Sequence, residues 1–362
     1  MYWNFLFKKD FRPLPNHTLL LSFSMDKLAS NTSSASVFDY LKLHFIVLIW
    51  GFTAILGKWL TIPAVETVLY RTLIAAGVLA FVVKRKDWHL PRKIIFQLFL
   101  TGMIVGAHWI TFFAAAKVAN VSICLVGLST ASLWTALIEP LFNHRKVKIY
   151  EVGLGLIIIL GLYVILKADL ESHMITGLIL GIVSAVLAAL FSTINGKFTH
   201  LAEPKTITVL EMSGAAIGII LFLPFYSAYF TGGEGIDMVL KNNDVYFPTG
   251  HWFAEIMNTI PYLNSDIVMI FLLAVVCTVY TYSASIELLR RISVFVTNLT
   301  INLEPIYGIV LAAIFFNEHE KMDSNFYVGA AIVLFSVLSY PVFNFFYKKQ
   351  KRKREKTLQS NS

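Results

Sequence analysis

The chain has 362 residues, 57% hydrophobic and only 14% charged, with a mean hydropathy of +0.68. A soluble domain carries about 25% charged residues; here the apolar excess falls in runs of about 20, the length that crosses a hydrocarbon core, which excludes the soluble two-domain protein that length alone would suggest. Net charge is +8 but lies between and beside those runs rather than on a nucleic-acid-binding face, and the two cysteines, Cys124 and Cys277, sit inside apolar runs, which excludes a disulfide framework and a paired-thiolate metal site.

In chain order, residues 1–42 read as a cytoplasmic arm. Its short apolar stretch at Leu19–Phe23 is too short to span and lacks a signal-peptide cleavage site. Residues 1–24 read as a disordered extension or as lying ahead of a start at Met25. Transmembrane helices are expected at 43–62, 65–84, 94–116, 120–142, 149–168, 174–196, 206–227, 266–289, 292–316 and 326–347. The joins are short except one. Residues 228–265 form a long polar insert, with a short amphipathic helix expected near His251–Asn258. Residues 348–362 form a basic tail, read as a topological anchor that touches anionic lipid.

Basic residues mark the cytoplasmic side. Of the 30 Lys and Arg, 24 lie in the N-terminal arm, in the even-numbered joins or in the tail. Both termini are therefore expected in the cytoplasm, the helix count even, and the 228–265 insert outside. Asn143 and Asn317, 174 residues apart, each end a helix and precede a charged join. Residues 43–168 and 174–347 thus read as two five-helix repeats. Five is odd, so the second repeat inserts upside down relative to the first, an architecture of secondary transporters.

Several motifs recur in order along the chain. The first expected helix carries Trp50-Gly51-Phe52 and Lys58, and the second follows Pro63 and carries Arg71. Phe112-Phe113-Ala114-Ala115-Ala116-Lys117-Val118-Ala119-Asn120-Val121-Ser122 joins the third to the fourth. The later half reads Ser285-Ile286-Glu287-Leu288-Leu289, then Leu303-Glu304-Pro305-Ile306-Tyr307, and ends in Asn317-Glu318. In this order the motifs resemble the EamA group of the drug/metabolite transporter (DMT) superfamily over roughly residues 40–346. The chain departs from that pattern at Asn143-His144-Arg145, where the group has a glutamate, and in the length of the 228–265 insert. The resemblance implies an all-α integral membrane fold of ten helices in two inverted repeats. It also implies a central cavity and a multi-pass place in a cell membrane, a bacterial inner membrane.

Ionisable groups inside a span are costly and so single out candidates. Arg71 lies about 8 Å into its helix by the α-helical rise; it pairs with Glu66, attracts an anionic substrate group, or snorkels to the headgroups. Glu304 lies about 15 Å from either end of its span, too deep for a short side chain to reach water. It carries a coupling proton, recognises a cation, or bonds to the carbonyl that Pro305 frees. His108 is a gate or substrate contact, or a packing histidine. Trp50 closes a cavity or packs between helices. Asn298, Asn302 and Tyr280 offer hydrogen bonds to a polar ligand or between helices. Glu139, Glu211 and Glu287 read as structural or gating groups, with Glu287 paired to Arg290 at i,i+3. The Gly102/Gly106, Gly177/Gly181 and Gly214/Gly218 pairs read as close-packing stripes.

No phosphate-binding loop, no zinc-protease helix motif and no nucleophile elbow occurs, so no ATP-driven domain, metal or other cofactor is expected. The function expected is a secondary transporter, not an enzyme. It moves a small polar metabolite such as an amino acid outward by alternating access, with Trp50, Arg71, His108, Tyr280, Asn298, Asn302 and Glu304 around the cavity. Its partners are the substrate and the bilayer, with proton coupling and a homodimer left open, and no nucleic acid. A lipid-modifying membrane enzyme, or a receptor or assembly protein working through the 228–265 insert, is the alternative.

Overall fold

Ser36 sets the first boundary. Its hydroxyl accepts from the Asp39 amide at 3.2 Å while its own amide donates to Asp39 Oδ2 at 2.8 Å, a reciprocal capping box. Helix α1 (Val37–Trp59) therefore starts six residues before the apolar run suggests. The computed structural model describes residues 35–119, 121–143, 146–166, 172–230, 266–304, 306–308, 311 and 324–360. The expected N-terminal extension and the outer insert from 231 to 265 lie outside the described residues.

Helices α2 (Ala64–Val82) and α3 (Arg92–Val118) each start directly after a proline, Pro63 and Pro91, whose fixed φ suits a helix entry. The fourth expected span breaks at Thr130 into α4 (Val121–Ser129) and α5 (Ala131–Asn143). Then come α6 (Ile149–Leu166), α7 (Ser172–Phe198) and α8 (Pro204–Phe230). The eighth expected span is α9 (Asp266–Ala274), a π-helical turn at Val275–Tyr280, and α10 (Thr281–Leu288). After it stand α11 (Val294–Ile301), capped by Ser293, and α12 (Ser324–Ser360).

Among the described residues eight helices are long and apolar enough to cross a membrane: α1, α2, α3, α4 with α5, α7, α8, α9 through α10, and α12. Helix α6 is apolar but shorter. Of the ninth expected span, residues 305, 309–310 and 312–316 lie outside the described residues. Large apolar side chains cover the outside, with Phe81 91% and Leu338 70% exposed, as a surface solvated by hydrocarbon requires. Helix α12 does not end at the basic tail. Lys, Arg, Glu and Gln are strong helix formers, and no Gly or Pro interrupts them, so the helix runs on to Ser360.

With no hydrophobic drive between helices inside a bilayer, close backbone approach does the packing. A Cβ on Gly102 of α3 would strike the carbonyl oxygen of Glu211 on α8, and one on Gly214 of α8 would strike that of Phe99 on α3. A Cβ on Gly127 of α4 would lie 2.7 Å from Gly181 of α7. These contacts hold helices of the first repeat against helices of the second.

Charged residues tie the helix ends. Arg291 lies 3.0 Å from Asp39 and 3.4 Å from Glu287, and Lys42 lies 2.9 Å from Glu287. Arg290 turns the other way. It donates to the carbonyls of Thr199 at 2.7 Å and Ala202 at 2.9 Å, with Glu203 at 3.7 Å. The expected Glu287–Arg290 pair is replaced because α10 ends at Leu288 and the following turn carries Arg290 away. Elsewhere Asp266 accepts from the Thr61 amide at 3.0 Å and from its hydroxyl, and Lys117 donates to the Leu60 carbonyl at 3.0 Å.

Candidate functional site

The π-helical turn is the local feature on which the site is built. A π turn leaves an extra residue per turn and offsets side chains from the α-helical register. Thr278 donates to the carbonyl five residues back, Leu273, at 2.9 Å. Its hydroxyl oxygen accepts from Arg71 Nε at 2.5 Å. The Cys277 carbonyl accepts from Arg71 Nη2 at 3.1 Å and from the Thr281 hydroxyl at 2.8 Å. Thr281 in turn accepts from Trp50 Nε1 at 3.0 Å. One turn of the second repeat thus orients two side chains of the first.

Arg71 is 1% exposed, so it does not snorkel. Its Cζ stacks 3.8 Å from the Trp109 ring centroid, a cation–π contact strengthened by burial. Its third nitrogen, Nη1, is buried with no hydrogen-bond partner among the described residues. Glu304 lines the same cavity and feels the Arg71 charge. Helix α11 stops just before it: the Asn302 and Leu303 amides donate to carbonyls three residues back, at 3.3 and 3.0 Å, tightening the chain into a turn.

The cavity between the repeats encloses about 860 Å³ of space between side chains, its open side included. Aromatic rings wall it in sequence. Trp109 meets Tyr282 edge-on at 5.7 Å, Tyr282 meets Phe191 at 6.1 Å, and Phe191 meets His108 at 5.3 Å. His108 Nδ1 donates to the Ser184 carbonyl at 2.9 Å, which leaves Nε2 as the nitrogen available to a ligand.

Five of the seven residues singled out from the sequence line this cavity: Trp50, Arg71, His108, Asn298 and Glu304. Asn298 is committed to the frame, since its amide donates to Thr135 at 2.7 Å and Ser192 at 2.8 Å and so joins the two repeats. Asn302 is 1% exposed but lies outside the lining, in the turn where α11 ends. Tyr280 is 45% exposed and also lies outside it. Two residues on, past the π turn, Tyr282 faces the cavity instead.

Behind Tyr282 lies a group the sequence reading assigned only to structure or gating. Glu211 is fully buried, accepting from the Tyr282 hydroxyl at 2.9 Å and from Asn195 Nδ2 at 3.2 Å. Asn195 and Tyr282 both line the cavity. Glu211 Oε1 and Asn195 Oδ1 have no partner among the described residues. The only signal in the sequence was a glutamate in an apolar run; its partners, 16 and 71 residues away, carried none. Among the described residues no three His, Cys, Asp or Glu gather as a metal site would require.

Known proteins share this architecture. An uncharacterized transporter of Bacillus subtilis strain 168, YxxF, is 23% identical over 254 residues, covering 67% of this chain and 79% of its own. A solved structure titled only "Crystal structure of protein" superposes with a TM-score of 0.59 at 12% identity, over 84% of this chain and 97% of that one, a likeness of fold. The model of the EamA-like transporter family matches residues 40–167 and 175–340, one match to each repeat. With that match over most of the chain, and a cavity walled by both repeats, the protein belongs to the EamA-like transporter family and is a membrane transporter.

Proposed function

We propose that the protein is a secondary transporter for a small zwitterionic metabolite, an amino acid or a related compound, and that the cavity between the repeats is its binding site. The buried guanidinium of Arg71 carries this reading. It is stacked on Trp109, held by two of its nitrogens on Thr278 and the Cys277 carbonyl, and keeps the third unpaired. A buried donor without a partner is costly, and a substrate carboxylate satisfies it with a charge-assisted bond. Glu304 supplies the opposite charge for a substrate ammonium, and its buried position suits it to carry a coupling proton. The aromatic walls favour a small apolar side chain. One cation and one carboxylate in the lining favour a substrate without net charge over an anion or a cation alone.

The transport mode we propose is alternating access. The Asp39–Arg291–Glu287–Lys42 cluster closes one end of the helices, and the Asp266–Thr61 and Lys117–Leu60 bonds join elements at other helix ends. Rocking one repeat against the other exchanges these contacts. The distribution of basic residues supports a cytoplasmic location for both termini, and the direction we favour is export.

Counterflow in proteoliposomes tests the proposal. Vesicles preloaded with unlabelled neutral amino acids are expected to accumulate a labelled one above protein-free vesicles. Flux for anionic or cationic solutes only, or none for any zwitterion, overturns it.

A further inference from the structure

A second groove lies on the outside of the helices, between α1, α11 and α12, away from the substrate cavity. It encloses about 1,050 Å³ of space between side chains, its open side included. Its walls are apolar along one stretch, with Val296, Leu299, Val337 and Leu338. Leu338 is 70% exposed, so this stretch opens onto hydrocarbon. The polar residues gather at one end. Tyr40 and His44 lie in the first turns of α1, and Asn344 and Lys348 lie where α12 leaves its apolar section. His44 is held there, its Nδ1 2.9 Å from the Tyr307 hydroxyl. Pro341, also in the lining, lacks the amide that would bond the Val337 carbonyl, so a backbone acceptor in the wall is left without its helical partner.

We infer that this groove is a binding site for one anionic phospholipid, with an acyl chain along Val296, Val337 and Leu338 and the phosphate at Lys348, His44 and Tyr40. Charge complementarity selects the occupant. The lining holds Lys348 and no carboxylate, and the helix beyond continues as Lys349, Lys351, Arg352 and Lys353. A basic cluster next to a span attracts anionic headgroups. A zwitterionic lipid would bring its ammonium against Lys348. A tyrosine, an imidazole and an amide beside the lysine give the phosphate short-range donors that a solvated basic tail lacks. The order of residues also matches a lipid, polar where the spans end and apolar toward their middle. The site touches transport through shared helices. Trp50 of α1 and Asn298 of α11 line the substrate cavity, while Tyr40 and Leu299 of the same helices line the groove.

The test uses the full-length protein in neutral detergent, titrated with dimyristoyl phosphatidylglycerol or phosphatidylcholine and read by native mass spectrometry. One phosphatidylglycerol is expected to stay bound under conditions that strip phosphatidylcholine. Lys348→Gln is expected to weaken it about fivefold, the effect of one basic residue near a membrane surface. Lys356→Gln, which removes a charge further along the same helix, is expected to bind as wild type. Leu338→Trp fills the groove from its exposed side and is expected to displace the lipid without lowering the melting temperature. Equal retention of the two lipids overturns the inference. So do equal losses in Lys348→Gln and Lys356→Gln, which would assign the binding to tail charge alone. Lipid-independent disulfide cross-linking of Leu338→Cys into a dimer would assign the groove to a second copy instead.

Discussion

Replacing Arg71 with Gln separates a substrate contact from a structural cation. The substitution removes the bonds to Thr278 and the Cys277 carbonyl, the stack on Trp109 and the unpaired Nη1. Hydrogen bonds to charged groups contribute about 1.5–3 kcal/mol each, and a desolvated cation–π contact about 2 kcal/mol. Some loss of stability is therefore expected whatever Arg71 does, and a fall in flux alone would not discriminate. The ligand side of the comparison does. If Nη1 bonds a substrate carboxylate, wild type prefers a transported amino acid over its uncharged amide by one charge-assisted bond, about 1.5–3 kcal/mol or roughly 10- to 150-fold. In Arg71→Gln that preference collapses toward unity. The assay is equilibrium binding by tryptophan fluorescence on purified protein, with Trp109 and Trp50 in the cavity as reporters. General destabilisation lowers affinity for both ligands and leaves their ratio intact. A preserved ratio in Arg71→Gln would refute the assignment of the carboxylate to Arg71.

Five further variants have expected outcomes. Glu304→Gln keeps the shape of the cavity wall but not its charge; proteoliposome flux is expected to lose its response to an imposed pH gradient while counterflow persists, and an unchanged response returns Glu304 to a packing role. Tyr282→Phe removes a donor from buried Glu211 and is expected to lower stability by about 1–3 kcal/mol with weaker substrate binding. Tyr280→Phe, on the exposed side, is expected to stay within about 0.5 kcal/mol of wild type in the same unfolding and binding measurements. Gly102→Ala drives a methyl into the Glu211 carbonyl and is expected to destabilise by about 1–3 kcal/mol. Gly77→Ala, with nothing within 4 Å of the new methyl, is expected to raise the melting temperature instead.

Eight apolar spans among the described residues, and their order, were legible before any coordinates, because a run of about 20 apolar residues has one stable solution in lipid. So were the intramembrane charges Arg71 and Glu304, whose rarity marks them. Facing was not legible. These helices are apolar nearly all round, so periodicity does not say which side meets lipid and which meets protein. The choice between Tyr280 and Tyr282 depended on that, and on a π-helical turn for which Val275–Tyr280 bears no sequence signature.

By itself, then, the sequence determined a chain of apolar helices in two repeats with a few stranded charges, since length and hydropathy are local properties. Only the tertiary structure decided which partners those residues meet. Arg71 meets Thr278 across 207 residues, and Asn298 meets Thr135 across 163. Such contacts arise only where the two repeats pack against each other. No local pattern encodes them, because each partner alone is an ordinary polar residue in an apolar helix.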